Sequence, residues 1–262
     1  MKVLLLAFLV LSCELFKERE DRPQGPSLPE IIPIQGQTIK LTPNMTFYWQ
    51  LQNKIRPHAE YNVNDVDLFD TPTETFTEMK RLGIIPACYF SLHFEDFRPD
   101  KHDFPLEAIG EPLDDWPGER IVDIRHPKIL EVMKNRLIMC KNKGGLIVEG
   151  DNQDQKSKKF KITDNDVVYF MVKLSEEAHK LGLAIIQKNN VELVDKLEPY
   201  LDAVLAESCH KYKECDGYKR YADNGKMVIV VEYEAKYCKP IPYAKVYLAN
   251  KDLNGSVWKE CK

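Results

Sequence analysis

The 262-residue chain has no surplus of either charge, no long apolar run beyond residue 11, no low-complexity tract and only six histidines. Each shortage excludes something. The 37 basic residues are interleaved with 41 acidic ones, for a formal net charge of −4, so a cationic nucleic-acid-binding face is not expected. No segment approaches the roughly 20 apolar residues of a membrane-spanning helix. No two histidines are four residues apart, which leaves no zinc-type spacing, and neither metal nor cofactor is expected. The 44% hydrophobic content excludes global disorder and suffices for a large core.

Met1-Lys2, the apolar run Val3 to Leu11 and the close at Ser12-Cys13 form an export signal over residues 1–13. A secreted, extracellular protein follows. A lipoprotein-type signal, with Cys13 carrying the lipid, is the alternative, and it would anchor the chain. Prolines at 23, 26, 29, 33 and 43 break regular structure, so residues 14–43 read as a linker or arm before a single domain over 44–262. Without Cys13 six cysteines remain, an even count that suits disulfides in an exported protein. Cys209 and Cys215 are near enough to staple one loop. Cys88, Cys140, Cys238 and Cys261 leave three pairings open.

Eight short β-rich runs follow Asn44: 47–51, 66–69, 84–90, 120–124, 146–149, 183–187, 203–206 and 227–231. Helical periodicity fills 73–82, 127–141, 164–181 and 191–201, with Gly83 and Gly182 at helix ends. Alternating β and α elements imply a parallel sheet, and eight strands imply an α/β fold of the single-domain (β/α)8 TIM-barrel type. The strands end in polar residues, which would gather on one rim as an acidic mouth. Strand parity puts Glu149 with Asp151 and Asp123 with Arg125, while Glu207 can reach Asp151 across Lys188. Two carboxylates at such a spacing suit glycoside hydrolysis.

The stretches Val63 to Thr71, Ala87 to Ser91, Glu95 to Asp100, Val122 to Arg125, Glu149-Gly150-Asp151-Asn152, Gln187-Lys188-Asn189, Glu207-Ser208-Cys209 with Glu214-Cys215, and Val231-Glu232-Tyr233 together resemble glycoside hydrolase family 114. That family comprises endo-α-1,4-polygalactosaminidases. The resemblance implies metal-free hydrolysis of α-1,4 linkages in a galactosamine-containing polysaccharide, with Asp151 as nucleophile and Glu207 as acid/base. Substrate contacts are then expected from Asp67, Glu95, Asp123, Glu149 and Glu232, which suit ammonium groups, and from Tyr89 and Tyr233, which can stack on sugars. Arg98, Arg125, Asn152, Lys188 and Asn189 complete the expected binding set. A monomer acting on a cationic polysaccharide or oligosaccharide is the expectation, without nucleic acid and without a membrane span. Three departures stand out: Gly150 replaces the family's usual proline, the loop after the third strand shortens to Leu92-His93-Phe94, and Ala206 and Ser208 flank Glu207. A catalytically silent, glycan-binding barrel is the alternative, supported by these changes.

Overall fold

The computed structural model describes residues 38–262. The expected export signal, Cys13 and residues 14–37 of the arm lie outside the described residues. Leu41, near the end of that arm, is buried with the barrel's inner core and accepts a hydrogen bond from Met227 N–H (3.2 Å).

Among the described residues, nine strands form one sheet. Eight run parallel: β1 (Phe47–Gln50), β2 (Val63–Asp67), β3 (Ile85–Ser91), β7 (Ile147–Asp151), β8 (Ala184–Lys188), β9 (Ala203–Glu207), β10 (Met227–Glu232) and β11 (Lys245–Ala249). The ninth, β12 (Trp258–Glu260), pairs antiparallel with β11. The sheet's ends meet where Phe47 N–H donates to Tyr247 Oη (2.9 Å) and Trp258 Nε1–H donates to Phe47 O (3.0 Å). The fold is thus a TIM-type barrel in a single domain.

The barrel recruits its strands differently from the sequence reading. The run at 120–124 is not a barrel strand. Instead β4 (Phe94–Glu95), β5 (Ile109–Pro112) and β6 (Glu119–Val122) make a small antiparallel sheet in the excursion after β3, and β7 pairs directly with β3 from Ala87↔Ile147 to Ser91↔Asp151. The misreading has a simple cause: a short β-rich run followed by helix α2 (Pro127–Lys143) has the local pattern of a βα unit. The eighth barrel strand is β11, whose approach through Pro240 and Pro242 and whose lysine at the start weaken the strand signal.

Two cores flank the barrel wall. Phe47, Val63, Ala87, Ile147, Ala184, Ala203, Met227 and Tyr247 fill the interior, while Val66, Cys88, Val148, Ile185, Val204 and Val228 face the helices outside. This is the period-two alternation of strands buried on both faces. The outer layer includes α1 (Thr73–Arg81), α2 and α3 (Asp164–Lys180). α3 starts with a capping box between Thr163 and Asp166, and α2 ends at Gly144 with φ 99°.

Three disulfides join the six described cysteines: Cys88–Cys140, Cys209–Cys215 and Cys238–Cys261. The short loop pair is the expected one, and the other four settle into one of the three open arrangements. Cys88–Cys140 ties β3 to α2. A Cβ at Gly145 would lie 2.3 Å from Cys140 Sγ and 2.5 Å from Cys88 Sγ, so only glycine fits beside that bridge.

Candidate active site

Strands β7, β8 and β9 end side by side, and each inward-facing terminal residue is charged: Asp151, Lys188 and Glu207. Each is followed by a non-glycine residue in the left-handed region, Asn152 at φ 65°, Asn189 at 50° and Ser208 at 58°. Such backbones are uncommon outside glycine and cost roughly 1–3 kcal/mol each. Side-chain bonds hold them: Asn189 Oδ1 accepts from Glu207 N–H (2.8 Å), and Asp151 Oδ1 accepts from Asn152 N–H (2.6 Å). The Cys209–Cys215 bridge fixes the chain just beyond Ser208.

The Lys188 ammonium sits among three carboxylates, 2.7 Å from Asp151 Oδ1, 2.9 Å from Glu207 Oε2 and 3.5 Å from Glu149 Oε1. It also lies 5.0 Å from the ring centre of Trp49. Tyr89 Oη donates to Asp151 Oδ2 (2.7 Å), and Tyr233 Oη donates to Glu207 Oε1. Burial raises the Asp151 pKa, but the Lys188 charge, its hydrogen bond, the Tyr89 hydroxyl and the Asn152 N–H outweigh it, leaving the carboxyl below its usual value. Burial alone would depress the Lys188 pKa, yet Asp151, Glu207 and Glu149 hold it well above normal. A carboxylate kept ionised beside a second carboxylate is the electrostatic arrangement that nucleophile and proton donor need.

Below this layer, Asp65 and Glu149 are fully buried, and their four carboxyl oxygens have no hydrogen-bond partner among the described residues. Two ionised carboxylates only accept; a proton on one lets it bond the other. Burial pushes both upward, Asp65 to about 8, and the charges of Asp65, Asp151 and Glu207 add to the rise at Glu149. Sequence reading missed Asp65, although its two-residue spacing from Val63 and Asp67 marks the inner face. It also missed Glu119, a β6 residue whose Oε2 accepts from Ser91 Oγ (3.2 Å) and Asn152 Nδ2 (3.4 Å). Burial, Glu95 and Asp151 raise Glu119 to about 7.

Of the residues expected at the site, Asp151, Glu207, Glu149, Lys188, Tyr89, Asn152, Asn189 and Tyr233 are gathered here. Asp67, Glu95 and Arg98 are held in a buried ion network instead: Arg98 bridges Asp67 (2.5 Å), Asp70 (3.0 Å) and Glu95 (2.9 Å), and Arg136 binds Glu95 (3.1 Å) and Asp100 (2.8 Å). That network fastens the small sheet to the barrel. Asp123 and Arg125 pair with each other near the surface (2.8 Å), where Arg125 also donates to Phe160 O. Glu232 follows the outward parity of Val228 and Val230, and its Oε1 accepts from His210 N–H (2.8 Å).

The departures at 92 and 150 prove to be one feature. A Cβ on Gly150 would lie 2.7 Å from Leu92 Cδ2, and buried Leu92 fills the space a side chain at 150 would occupy.

A parallel eight-stranded barrel with paired carboxylates at the C-terminal ends of β7 and β9, on either side of the β8 lysine, defines a TIM-barrel O-glycosyl hydrolase. The match to glycoside-hydrolase family GH114 runs over residues 32–259, and the chain belongs to that family. Among solved structures, Aspergillus fumigatus Ega3 in complex with galactosamine is 26% identical with a TM-score of 0.79, covering 86% of this chain and 100% of its own. The glycoside hydrolase domain of PelA from Pseudomonas aeruginosa, 12% identical, shares the fold at a TM-score of 0.66, covering 81% of this chain and 97% of its own. No curated protein matches the chain in sequence.

Proposed function

We propose that the protein is an exported glycosidase that cleaves α-1,4 linkages in a galactosamine-containing polysaccharide with retention at the anomeric carbon. One observation carries the mechanism: Asp151 and Glu207 share the Lys188 ammonium, so their bonded oxygens are no farther apart than the sum of 2.7 and 2.9 Å. Retaining enzymes hold their carboxyls about 5–5.5 Å apart, whereas inverting ones leave a wider gap for water. Asp151, kept ionised, attacks the anomeric carbon while the Glu207 carboxyl protonates the departing glycosidic oxygen. Glu207, now a carboxylate, then takes a proton from water, whose oxygen displaces Asp151 and restores both groups. Tyr89 and Tyr233 orient the two carboxyls through their hydroxyls.

The galactosamine assignment is supported by family membership, by the likeness to a galactosamine-bound structure and by the excess of carboxylates at the rim. Three disulfides among the described residues support export to an oxidising compartment. The test is hydrolysis of deacetylated and partly acetylated α-1,4-galactosamine oligomers, with the first-released anomer read by NMR. Asp151→Asn and Glu207→Gln are expected to lower turnover at least ~1,000-fold while keeping the fold. Binding without cleavage by the wild type would replace the hydrolase with a silent glycan-binding barrel, and an inverted product would refute the nucleophile.

A further inference from the structure

Among the described residues, few large apolar side chains are exposed, and two of the aromatic ones lie on turns next to the strands of the small sheet: Phe97, just after β4, at 57% and Trp116, just before β6, at 54%. The ladder of β4 and β6 brings their segments together, since Glu95 is in register with Glu119 and Asp96 N–H donates to Gly118 O (2.9 Å). The turn bearing Trp116 is closed by Glu119 N–H donating to Trp116 O (3.1 Å). Glu119 is nine-tenths buried, and its Oε2 is held by Ser91 and Asn152, the residue next to Asp151. Its other oxygen, Oε1, has no hydrogen-bond partner among the described residues. Asp96, next to Phe97, and Asp114 and Asp115, just before Trp116 in the chain, are exposed, and their carboxylates have no ion-pair partner among the described residues.

The Arg98 guanidinium lies 5.1 Å from the Phe97 ring centre and Lys101 Nζ donates to Asp96 O (2.8 Å), so Trp116, preceded by Asp114 and Asp115, is the part of the hairpin that most favours a ligand both flat-faced and cationic. We propose that the β4–β6 hairpin is a sugar subsite for an amino-sugar residue adjoining the scissile bond, with Trp116 and Phe97 receiving its face and Glu119 Oε1 its ammonium. This rests on the galactosamine reading above and deepens it. Continuity argues for the same polymer chain as occupant, because Glu119 joins the hairpin to Asn152 and so to Asp151. The excursion thereby gains a use that its tight fastening by Arg98 and Arg136 would serve, since a subsite must be held rigidly against the reacting pair.

The test measures binding and hydrolysis of deacetylated galactosamine oligomers of increasing length by wild type, Trp116→Ala, Phe97→Ala and Glu119→Gln, with Ile138→Ala as a distant control. Either aromatic truncation is expected to raise KM and Kd roughly five- to tenfold for long oligomers, with a smaller effect on the shortest. Glu119→Gln is expected to narrow the preference for deacetylated over acetylated chains. If wild type cleaves these oligomers and the three variants match it at every length, the subsite is refuted while the galactosamine reading stands. If wild type neither binds nor cleaves them, both fall. If Trp116→Ala leaves binding unchanged but abolishes self-association in solution, the surface belongs to a second copy of the chain and the proposal is overturned.

Discussion

Replacing Lys188 with Met should expose how the site holds its charge. The ammonium is 1% exposed and bonded to Asp151 and Glu207 at 2.7 and 2.9 Å, with Glu149 at 3.5 Å. Methionine keeps the volume and removes the only cation in contact with these carboxylates among the described residues. Breaking a buried pair from one side costs about 3–5 kcal/mol, which for a domain of this size lowers Tm by roughly 6–20 °C. The loss should depend on pH, and its sign follows from linkage. In the wild type the Asp151 pKa is depressed, so its contribution is present above the ordinary carboxylate value of about 3.8 and is lost as pH falls through the folded value. Without Lys188, burial dominates and the same carboxyl retains a proton that the unfolded chain releases, so the variant loses stability as pH rises above about 4. Scanning calorimetry at pH 4.5, 6 and 8 should therefore find a small Tm deficit at the acid end and the full deficit at pH 8. Adding Glu149→Gln to Lys188→Met should recover part of the loss at pH 8, because one buried acid no longer needs a counter-charge. An equal deficit at all three pH values would refute the charge argument and leave only a packing change.

Three further outcomes are expected. Asp65→Asn should flatten the alkaline decline in stability: a carboxyl raised to about 8 favours the fold only while protonated, so wild-type stability falls from about pH 4 to 8, and parallel Tm profiles for the two proteins would contradict this. Gly150→Ala should lower stability by about 1–3 kcal/mol in denaturant unfolding, since its Cβ would meet Leu92 at 2.7 Å, and a Leu92→Ala partner should recover most of that loss. Joint replacement of Cys88 and Cys140 by Ala should cost on the order of 4 kcal/mol for a loop of 52 residues, measured under non-reducing conditions, and a change below about 1 kcal/mol would show that α2 and β3 need no tether.

The barrel was legible because its strands are buried on both faces and so appear as continuous apolar runs, but strand identity was not. β6 and β11 exchanged places in the count. A four-residue run before a strong helix looks the same whether it joins the barrel or an excursion from it, and only the pairing of β7 with β3 distinguishes them. Loss of one false strand and gain of one true strand left the total at eight. The inward placement of Asp151, Lys188 and Glu207 did not depend on the strand count, because each rests on parity within its own strand, which a shift in strand number does not alter.

Parity also explains why the expected site separated into parts. Asp151, Lys188 and Glu207 continue the inward rows of Ile147, Ala184 and Ala203, so burial of the row fixes where the charge points. Glu232 continues the outward row of Val228 and Val230, whereas its neighbour Tyr233 returns inward to Glu207. One residue of offset decides between a site and a loop anchor. Asp67 has inward parity and yet its carboxylate is taken up by the Phe69 and Asp70 N–H groups and by Arg98, 31 residues onward. No local pattern encodes that partner, and the same holds for Glu119, which reaches Asn152 from another sheet. The barrel rows therefore fix the pair that would do the chemistry, while long-range ion pairs decide which remaining acids stay free to meet a substrate. For a cationic polymer the second group would set specificity, so sequence changes in the excursion after β3 should alter chain preference before they alter the mechanism.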